Sequence, residues 1–298
     1  MKKYKFNSND KIGIVANDAG AANLIMGWVL NNKFLNFYFC LSGPAKKIFK
    51  EKNLYDSIYE LDMIIKKCNI IITGTSYDCL LEHEARFKAK KSKILNISVI
   101  DHWVNYELRF VRNKKKVLPD IIWVFDKFAE RKAKLLFKNI QVHQLENYYI
   151  KDLVKNIEKI EKTKTSKKTN ILYVLEPSRK ASKFENYLYE YEILDFFIAK
   201  ISKLKFKDEI EIKLRLHPSE ESQKYNNWIM AQNKNYIYIS FGKTLSEDIS
   251  WADIVVGYDS YALVVANAAS RICFSSKLPC EGNCKIMIKD LKYLRDIN

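Results

Sequence analysis

Short apolar runs alternate with amphipathic stretches along most of the chain. Helical segments such as Ala21–Leu30, Tyr77–Lys91 and Lys127–Phe137 separate the apolar runs of the first half. Those runs are Lys11–Ala16, Phe34–Leu41, Asn69–Thr73, Ile94–Val99, Ile121–Phe125 and Ile140–Leu145. Strands separated by helices predict right-handed βαβ units and a parallel sheet.

A polar stretch separates this half from a second series of the same kind. Residues 151–169 are almost wholly polar and predict a charged helix that runs into a linker. The strands predicted after it are Asn170–Glu176, Glu209–Leu216, Tyr236–Ser240, Asp253–Val256 and Arg271–Phe274. The helices predicted there are Tyr187–Lys205, Glu220–Gln232, Leu245–Trp251 and Tyr261–Ala269. The pattern predicts an α/β protein with two Rossmann-like domains, residues 1–155 and 170–298.

The tail Lys285–Arg295 carries a partial apolar face and predicts a last helix. That helix is expected to pack back on the first domain or to end its own.

Composition agrees with a folded, enzyme-like protein. The chain has 298 residues, 48% of them hydrophobic, which is enough for two cores. The chain has no run of about eighteen apolar residues, so no membrane span is predicted. The basic start Met1–Lys5 leads into polar residues instead of a signal-peptide core, so a cytoplasmic protein is expected. Cys280 and Cys284 have no second ligand pair nearby, and no metal site is predicted.

The net charge of +16 comes from lysine-rich clusters. The simplest interpretation is lysine on every solvated face, since acidic residues are interspersed throughout. The second is peripheral contact with an anionic inner membrane face. Nucleic acid is not an expected partner, because no arginine–aromatic pattern of an RNA-binding sheet is present.

Two segments of the second half predict an anion-binding site. Arg215 and His217 lie two residues apart at a strand end that Pro218 terminates, so they point to the same side. The apolar run Asp253–Val256 stops at a glycine, and Ser260 can then begin the next helix. A cationic pair beside a helix start favours phosphate. The alternative is an ordinary strand-end histidine and an ordinary helix cap.

These segments resemble the C-terminal half of GT-B-fold glycosyltransferases, in particular bacterial enzymes that transfer sialic-acid-like or other capsule and lipopolysaccharide sugars. The resemblance implies two domains whose parallel sheets face each other across a cleft. It also implies that His217, Pro218 and Ser260 hold the phosphate of a nucleotide-sugar donor. Ser178 and Arg179 end the first strand of the second domain and are further donor-binding candidates, or else part of a basic surface turn.

The first domain offers a candidate base. Its opening turn lacks the G-x-G-x-x-G fingerprint and contains Asp18, which disfavours a dinucleotide. The order Asp18-Ala19-Gly20 resembles the acidic-x-Gly motif of sialyltransferase-like enzymes, where the carboxylate is the general base. The alternative is that Asp18 caps the following helix. Thr75 and Ser76, in a hydroxyl-rich loop, are acceptor-binding candidates or a capping turn, and Gly20 is grouped with them.

The densest cluster of polar and aromatic residues follows the strand Ile94–Val99. It comprises Asp101, His102, Trp103, Asn105, Tyr106 and Arg109. Aromatic faces pack on sugars and the guanidinium binds hydroxyls or a carboxylate, so a sugar pocket is expected here. His102, oriented by Asp101, is an alternative base. The competing interpretation is a loop pinned by a buried tryptophan.

The functional hypothesis is an inverting, metal-independent glycosyltransferase without a cofactor. Its donor is a CMP- or UDP-linked sugar, and its acceptor is a glycan, a lipid-linked molecule or a protein. The alternatives are a nucleotide-sugar 2-epimerase or hydrolase, a polyol-phosphate transferase, or a non-catalytic nucleotide-sugar-binding partner in a polysaccharide assembly complex.

Overall fold

The computed structural model describes residues 4–76, 79–160, 168–177, 188–204, 206, 209–217, 220–221 and 223–297. The chain divides into two compact units, Met1–Lys151 and Asp152–Asn298. Each unit contains a six-stranded sheet in which all strands are parallel. The predicted α/β class with two parallel sheets is confirmed.

In the first unit most helices begin a few residues after a strand. Its strands are β1 Lys11–Ala16, β2 Asn36–Leu41, β3 Ile70–Thr73, β4 Leu95–Val99, β5 Val111–Arg112, β6 Lys115–Lys116, β7 Ile121–Val124 and β8 Gln141–Gln144. Its helices are α1 Ala19–Leu30, α2 Gly43–Lys50, α3 Leu61–Lys67, α4 Leu80–Lys91, α5 Lys127–Leu136 and α6 Tyr148–Lys159, of which α6 runs past the unit boundary. The sheet order is β2-β1-β3-β4-β7-β8, while β5 and β6 form a separate hairpin.

Both faces of this sheet are covered. Ile12 and Ile14 of β1 pack in the core that contains α1 and α2. Val15, which points to the other face, packs in the core that contains α3 and α4. Two-sided burial explains why the central strands β3 and β7 are continuous apolar runs and not alternating ones.

The second unit has the sheet order β11-β10-β9-β12-β13-β14. Its strands are β9 Lys168–Val174, β10 Glu209–Arg215, β11 Ile237–Ile239, β12 Ile254–Gly257, β13 Ile272–Ser275 and β14 Lys292–Tyr293. Its helices are α7 Tyr189–Ile201, α8 Asn226–Gln232, α9 Leu245–Trp251 and α10 Ala262–Ala268. Alternate residues of β9 again serve two cores, Ile171 on one face and Leu172 on the other.

The chain end differs from the expectation. The tail was expected to be a helix, but it forms strand β14, which pairs with β13, and a 3-10 turn Leu294–Asp296. Leu294 is fully buried in the core that contains α7. The apolar residues of the tail therefore fill the second unit without helical periodicity. Among the described residues, none of the helices is long and apolar enough to cross a membrane.

Gly27 tests how closely α1 approaches α6. A Cβ at this position would lie 2.8 Å from the backbone nitrogen of Tyr149, an atom that cannot move as a side-chain end can. We expect Gly27→Ala to destabilise the protein by about 1–3 kcal/mol, although alanine is the better helix former by about 1 kcal/mol. Chemical unfolding measures the effect. Gly282→Ala is the control, because nothing lies within 4 Å of that Cβ; a stabilised Gly27→Ala protein would contradict the packing.

Candidate functional site

The strand order of the first unit reverses between β1 and β3, and polar residues follow both strands. Loops that leave adjacent parallel strands in opposite directions open a crevice at the carboxyl edge of the sheet. Asp18 follows β1 there, and residues 74–76 follow β3. Asp101 follows the next strand, β4. The sheet thus brings the predicted base and the predicted acceptor residues to one edge of this unit.

Asp18 is the N-cap of α1. Its Oδ1 accepts a hydrogen bond from the backbone N–H of Ala21 at 3.2 Å, which is the capping geometry that the sequence left open. Burial, together with the neighbouring charge of Asp101, raises the pKa of Asp18 to about 6. The Ala21 N–H, Arg109 and a hydrogen bond from the Ser76 side chain act in the opposite direction. Asp18 is therefore a helix cap whose pKa lies close to neutral pH.

Asp101 forms an ion pair with Arg109 and packs against Gly20. Its Oδ1 lies 2.6 Å from Nη1 of Arg109, and both side chains are largely buried. The same Nη1 donates to Oγ1 of Thr75 at 3.1 Å, and Thr75 donates to the carbonyl of Val99 at 2.8 Å. A Cβ on Gly20 would overlap Oδ2 of Asp101. The hydroxyl of Thr75 thus serves Arg109 and the backbone, and Gly20 provides the space in which Asp101 reaches the start of α1.

Glu82 of α4, to which the sequence analysis assigned no role, lies at the centre of this edge. Its side chain is fully buried; Oε1 accepts from the N–H of Asn17 at 2.9 Å and Oε2 from the N–H of Ser76 at 2.6 Å. Burial raises the pKa of Glu82 to about 7, with a further contribution from the charge of Asp18. One carboxylate therefore joins the loop after β1 to the loop after β3.

Arg86, one turn further along α4, completes this connection. It is fully buried, and its Nη1 donates to the carbonyl of Gly74 at 2.9 Å. Glu82, Ala85, Arg86 and Ala89 recur at helical spacing, and all four are buried. Small residues beside opposite charges on one helical stripe are the signal that could have identified the buried pair from the sequence.

The aromatic residues of the loop 101–110 have a structural role. Trp103 and Tyr106 are only 5% and 2% exposed, so their rings pack inside the protein and the expected sugar-stacking faces are not available. Nε1 of Trp103 donates to Asp126 at 2.9 Å, and Lys132 donates to the Trp103 carbonyl at 2.7 Å. The competing interpretation, a loop pinned by a buried tryptophan, describes this segment. His102 packs edge-on against Trp103, and Asn105 is exposed.

The sheet of the second unit reverses between β9 and β12, where Glu176 and Asp259 meet. Oε2 of Glu176 accepts from the backbone N–H of Asp259 at 3.1 Å, and burial raises the pKa of Glu176. Asp259 forms an ion pair of 2.8 Å with Lys277, which is itself buried. Oγ of Ser260 accepts from the N–H of Ala262 at 3.3 Å. Sequence reasoning did not assign roles to Glu176, Asp259 and Lys277, because their contacts connect strand ends that are far apart in the chain.

The residues at the end of β10 divide into a paired cation and an exposed imidazole. Arg215 forms an ion pair with Asp248 and donates to the carbonyls of Gly242 and Thr244 at 3.3 and 3.2 Å. His217 is exposed, and its backbone N–H donates to Glu220 at 3.2 Å. The remaining donor-binding candidates, Ser178, Arg179 and Pro218, lie outside the described residues.

Comparison with known proteins identifies the fold. No protein-family model and no curated protein matches the chain. A putative UDP-N-acetylglucosamine 2-epimerase from Listeria monocytogenes is similar in structure, with a TM-score of 0.59, 13% identity and coverage of 89% of this chain and 79% of that one. The UDP-GlcNAc 2-epimerase from Neisseria meningitidis, bound to UDP-GlcNAc, gives a TM-score of 0.58, 13% identity and coverage of 89% and 82%. The glycotransferase of kitacinnamycin gives a TM-score of 0.52, 10% identity and coverage of 89% of this chain and 80% of that one.

These similarities show a shared two-domain α/β fold, the GT-B type, at low sequence identity. The sialyltransferase-like motifs and the role of each residue stay predictions.

The ionisation of Glu82 has a measurable consequence. Because its folded-state pKa of about 7 lies above the ordinary 4.5, the folded protein retains a proton that the unfolded chain releases between these pH values. Stability therefore falls as the pH rises through this window, and the raised pKa of Asp18 acts in the same direction. The Glu82 contribution is on the order of 3 kcal/mol, since one pKa unit corresponds to about 1.4 kcal/mol.

We expect Glu82→Gln to flatten the fall in unfolding free energy between about pH 4.5 and 7. The lost carboxylate acceptor adds a cost of about 1–3 kcal/mol that does not depend on pH. Urea unfolding at several pH values separates the two effects. Glu84→Gln, on the exposed side of the same helix, is the control. Parallel pH profiles for wild type and Glu82→Gln would show that Glu82 does not titrate in this range.

Proposed function

We propose that this protein is an inverting glycosyltransferase that moves a sugar from a nucleotide-sugar donor to a glycan, lipid-linked or protein acceptor without a metal ion. The observation that carries the proposal is the position and proton affinity of Asp18. It lies at the carboxyl end of β1, beside the strand-order reversal, with a pKa of about 6. Such a carboxyl group is ionised at neutral pH and is more basic than an ordinary aspartate, as a general base requires.

The reaction proposed for this site is a single displacement. The acceptor oxygen forms a bond to the anomeric carbon while the bond from that carbon to the phosphate oxygen breaks. Asp18 takes the proton of the acceptor hydroxyl, and the nucleotide leaves with the bonding electrons. Asp101 raises the pKa of Asp18 and its ion-pair partner Arg109 lowers it, so the pair helps to set the pKa of the base.

We assign the donor to the second unit. His217 is exposed at the end of β10, and Ser260 follows β12 next to the strand-order reversal. We propose that the donor phosphate binds His217 and Ser260 together with Arg215, whose guanidinium also pairs with Asp248. Ser178 and Arg179 are further candidates. Hydrogen-bond donors of the protein would replace the metal ion that other sugar transferases use.

A nucleotide-sugar 2-epimerase or hydrolase is the second candidate. Asp18, whose pKa is raised to about 6, and Asp101 both lie at the carboxyl edge of the first sheet, and proton transfer at a sugar carbon needs such carboxyl groups. The structurally similar proteins from Listeria monocytogenes and Neisseria meningitidis are a putative and a UDP-GlcNAc-bound 2-epimerase, respectively.

One experiment separates the two candidates. The protein is incubated with CMP-, UDP-, GDP- and CDP-linked sugars, with and without a mixture of glycan and lipid-linked acceptors, and nucleotide release and sugar products are measured. A transferase releases nucleotide in proportion to an acceptor that gains the sugar. An epimerase or hydrolase converts the donor alone, and that result would refute the transferase.

Asp18→Asn is the decisive substitution for the base. Asparagine can cap α1 but cannot take a proton, so we expect turnover to fall by roughly 10²–10⁴-fold while donor affinity changes little. Thr244→Asn is the control, because it places asparagine at another helix cap: Thr244 caps α9 by accepting from the N–H of Glu247 at 3.2 Å. Turnover and melting temperature are measured on both variants. Near-normal turnover in Asp18→Asn would move the base to Asp101 or His102.

Nucleotide binding tests the donor assignment. We expect CMP or UDP to raise the melting temperature in the presence of EDTA, because the proposed phosphate ligands are protein groups. His217→Ala should weaken binding by about 1.5–3 kcal/mol if it makes a charge-assisted bond to phosphate. Ser260→Ala should weaken it less, and Ser202→Ala, at an exposed hydroxyl, is the control. A shift that requires Mn²⁺ or Mg²⁺ would contradict metal independence.

A further inference from the structure

Helix α5 presents an outward face on which cations and large apolar side chains are mixed. Phe128 is 39% exposed and Leu135 is 71% exposed, although each could have been buried. At 100° per residue they share one side of the helix with three cations, and a fourth lies two residues beyond its end. The full set is Lys127, Phe128, Arg131, Lys134, Leu135 and, after the helix, Lys138, all of them exposed.

The positive charge of this face is mostly unneutralised. Lys134 pairs with Glu130 at 2.8 Å on the same helix. For Lys127, Arg131 and Lys138, the described residues provide no carboxylate within ion-pair distance. An exposed leucine among uncompensated cations gains nothing within the folded chain, so the face is suited to a ligand that is both anionic and apolar.

The inward side of α5 is fixed to the candidate site. Ala129 and Ala133 are buried against the sheet. Lys132 donates to the carbonyl of Trp103, and Asp126 accepts from its indole N–H. The loop that these contacts hold also carries Asp101 and Arg109, so α5 packs against the segment that contains proposed acceptor residues of the first unit.

We propose that the outward face of α5 docks on an anionic lipid bilayer. Lysine and arginine bind the phosphate headgroups, while Phe128 and Leu135 enter the boundary between headgroups and acyl chains. A second copy of this chain fits less well, because a symmetric contact would place the same cations against each other. An acidic protein or a nucleic acid would satisfy the charge but not the apolar side chains. The inference does not depend on the reaction that the protein catalyses.

The test is co-sedimentation of the full-length chain with sucrose-loaded vesicles, without nucleotide. We expect binding to phosphatidylcholine vesicles that contain phosphatidylglycerol and little binding to phosphatidylcholine alone, with weaker binding at high salt. The charge variant Arg131→Glu/Lys138→Glu and the apolar variant Phe128→Ser/Leu135→Ser should each lower the partition coefficient by about tenfold or more. Melting temperatures establish that both variants are folded.

Matched controls locate the effect. Lys46→Glu/Lys50→Glu makes the same change of net charge on exposed positions of α2, and Met230→Ser removes an exposed apolar side chain from α8. The proposal requires both controls to bind like wild type. It is overturned if wild type does not bind anionic vesicles, or if the α2 variant loses as much binding as the α5 variant. It is also overturned if the α5 variants lose binding to duplex DNA but not to vesicles.

Discussion

The carboxylate of Glu82 is the interaction on which the candidate site depends. Two loops leave the sheet in opposite directions after β1 and β3. Each loop contributes one backbone N–H, from Asn17 and from Ser76, that donates to the carboxylate of Glu82. A buried carboxylate is costly unless hydrogen bonds satisfy it, and here two N–H groups do so. The cost is visible in its raised pKa. Without this acceptor, the N–H groups of Asn17 and Ser76 would be unsatisfied, and Ser76, whose side chain hydrogen-bonds to Asp18, would lose the backbone contact that positions it.

The two units solve the same problem with different chemistry. Both reverse strand order inside a parallel sheet, and in both a glutamate accepts a backbone N–H across the reversal: Glu82 from Asn17 and Ser76, and Glu176 from Asp259. Glu82 is fully buried on a helix, whereas Glu176 follows β9 directly and is partly exposed. Glu82 thus joins two loops inside the first unit. Glu176 lies partly exposed at the sheet edge where α/β proteins bind ligands.

The sequence predicts what depends on local periodicity and fails where distant residues decide. The strand β1 and the helix α9 have the predicted bounds, because an apolar run buried on both faces and a capping box are local signals. The role of Glu82 in joining two loops does not follow from the sequence, because its partner Asn17 is 65 residues away. The aromatic loop was expected to be a pocket, since the sequence does not show that Asp126 and Lys132 secure Trp103. The tail has apolar residues but becomes a strand, because β13 offers it an edge.

Capping and base chemistry are compatible at Asp18 because opposing groups set its pKa. Burial and Asp101 favour the protonated form, whereas the Ala21 N–H, Arg109 and Ser76 favour the carboxylate. The N–H bond that caps α1 uses Oδ1, and a carboxylate has further lone pairs on Oδ2 for a second partner. Arg109 also pairs with Asp101 and thereby limits how far that charge raises the pKa of Asp18. A cap in this position remains ionised at neutral pH, yet it binds a proton more readily than a solvated aspartate, and those are the two properties that a base for a sugar hydroxyl needs.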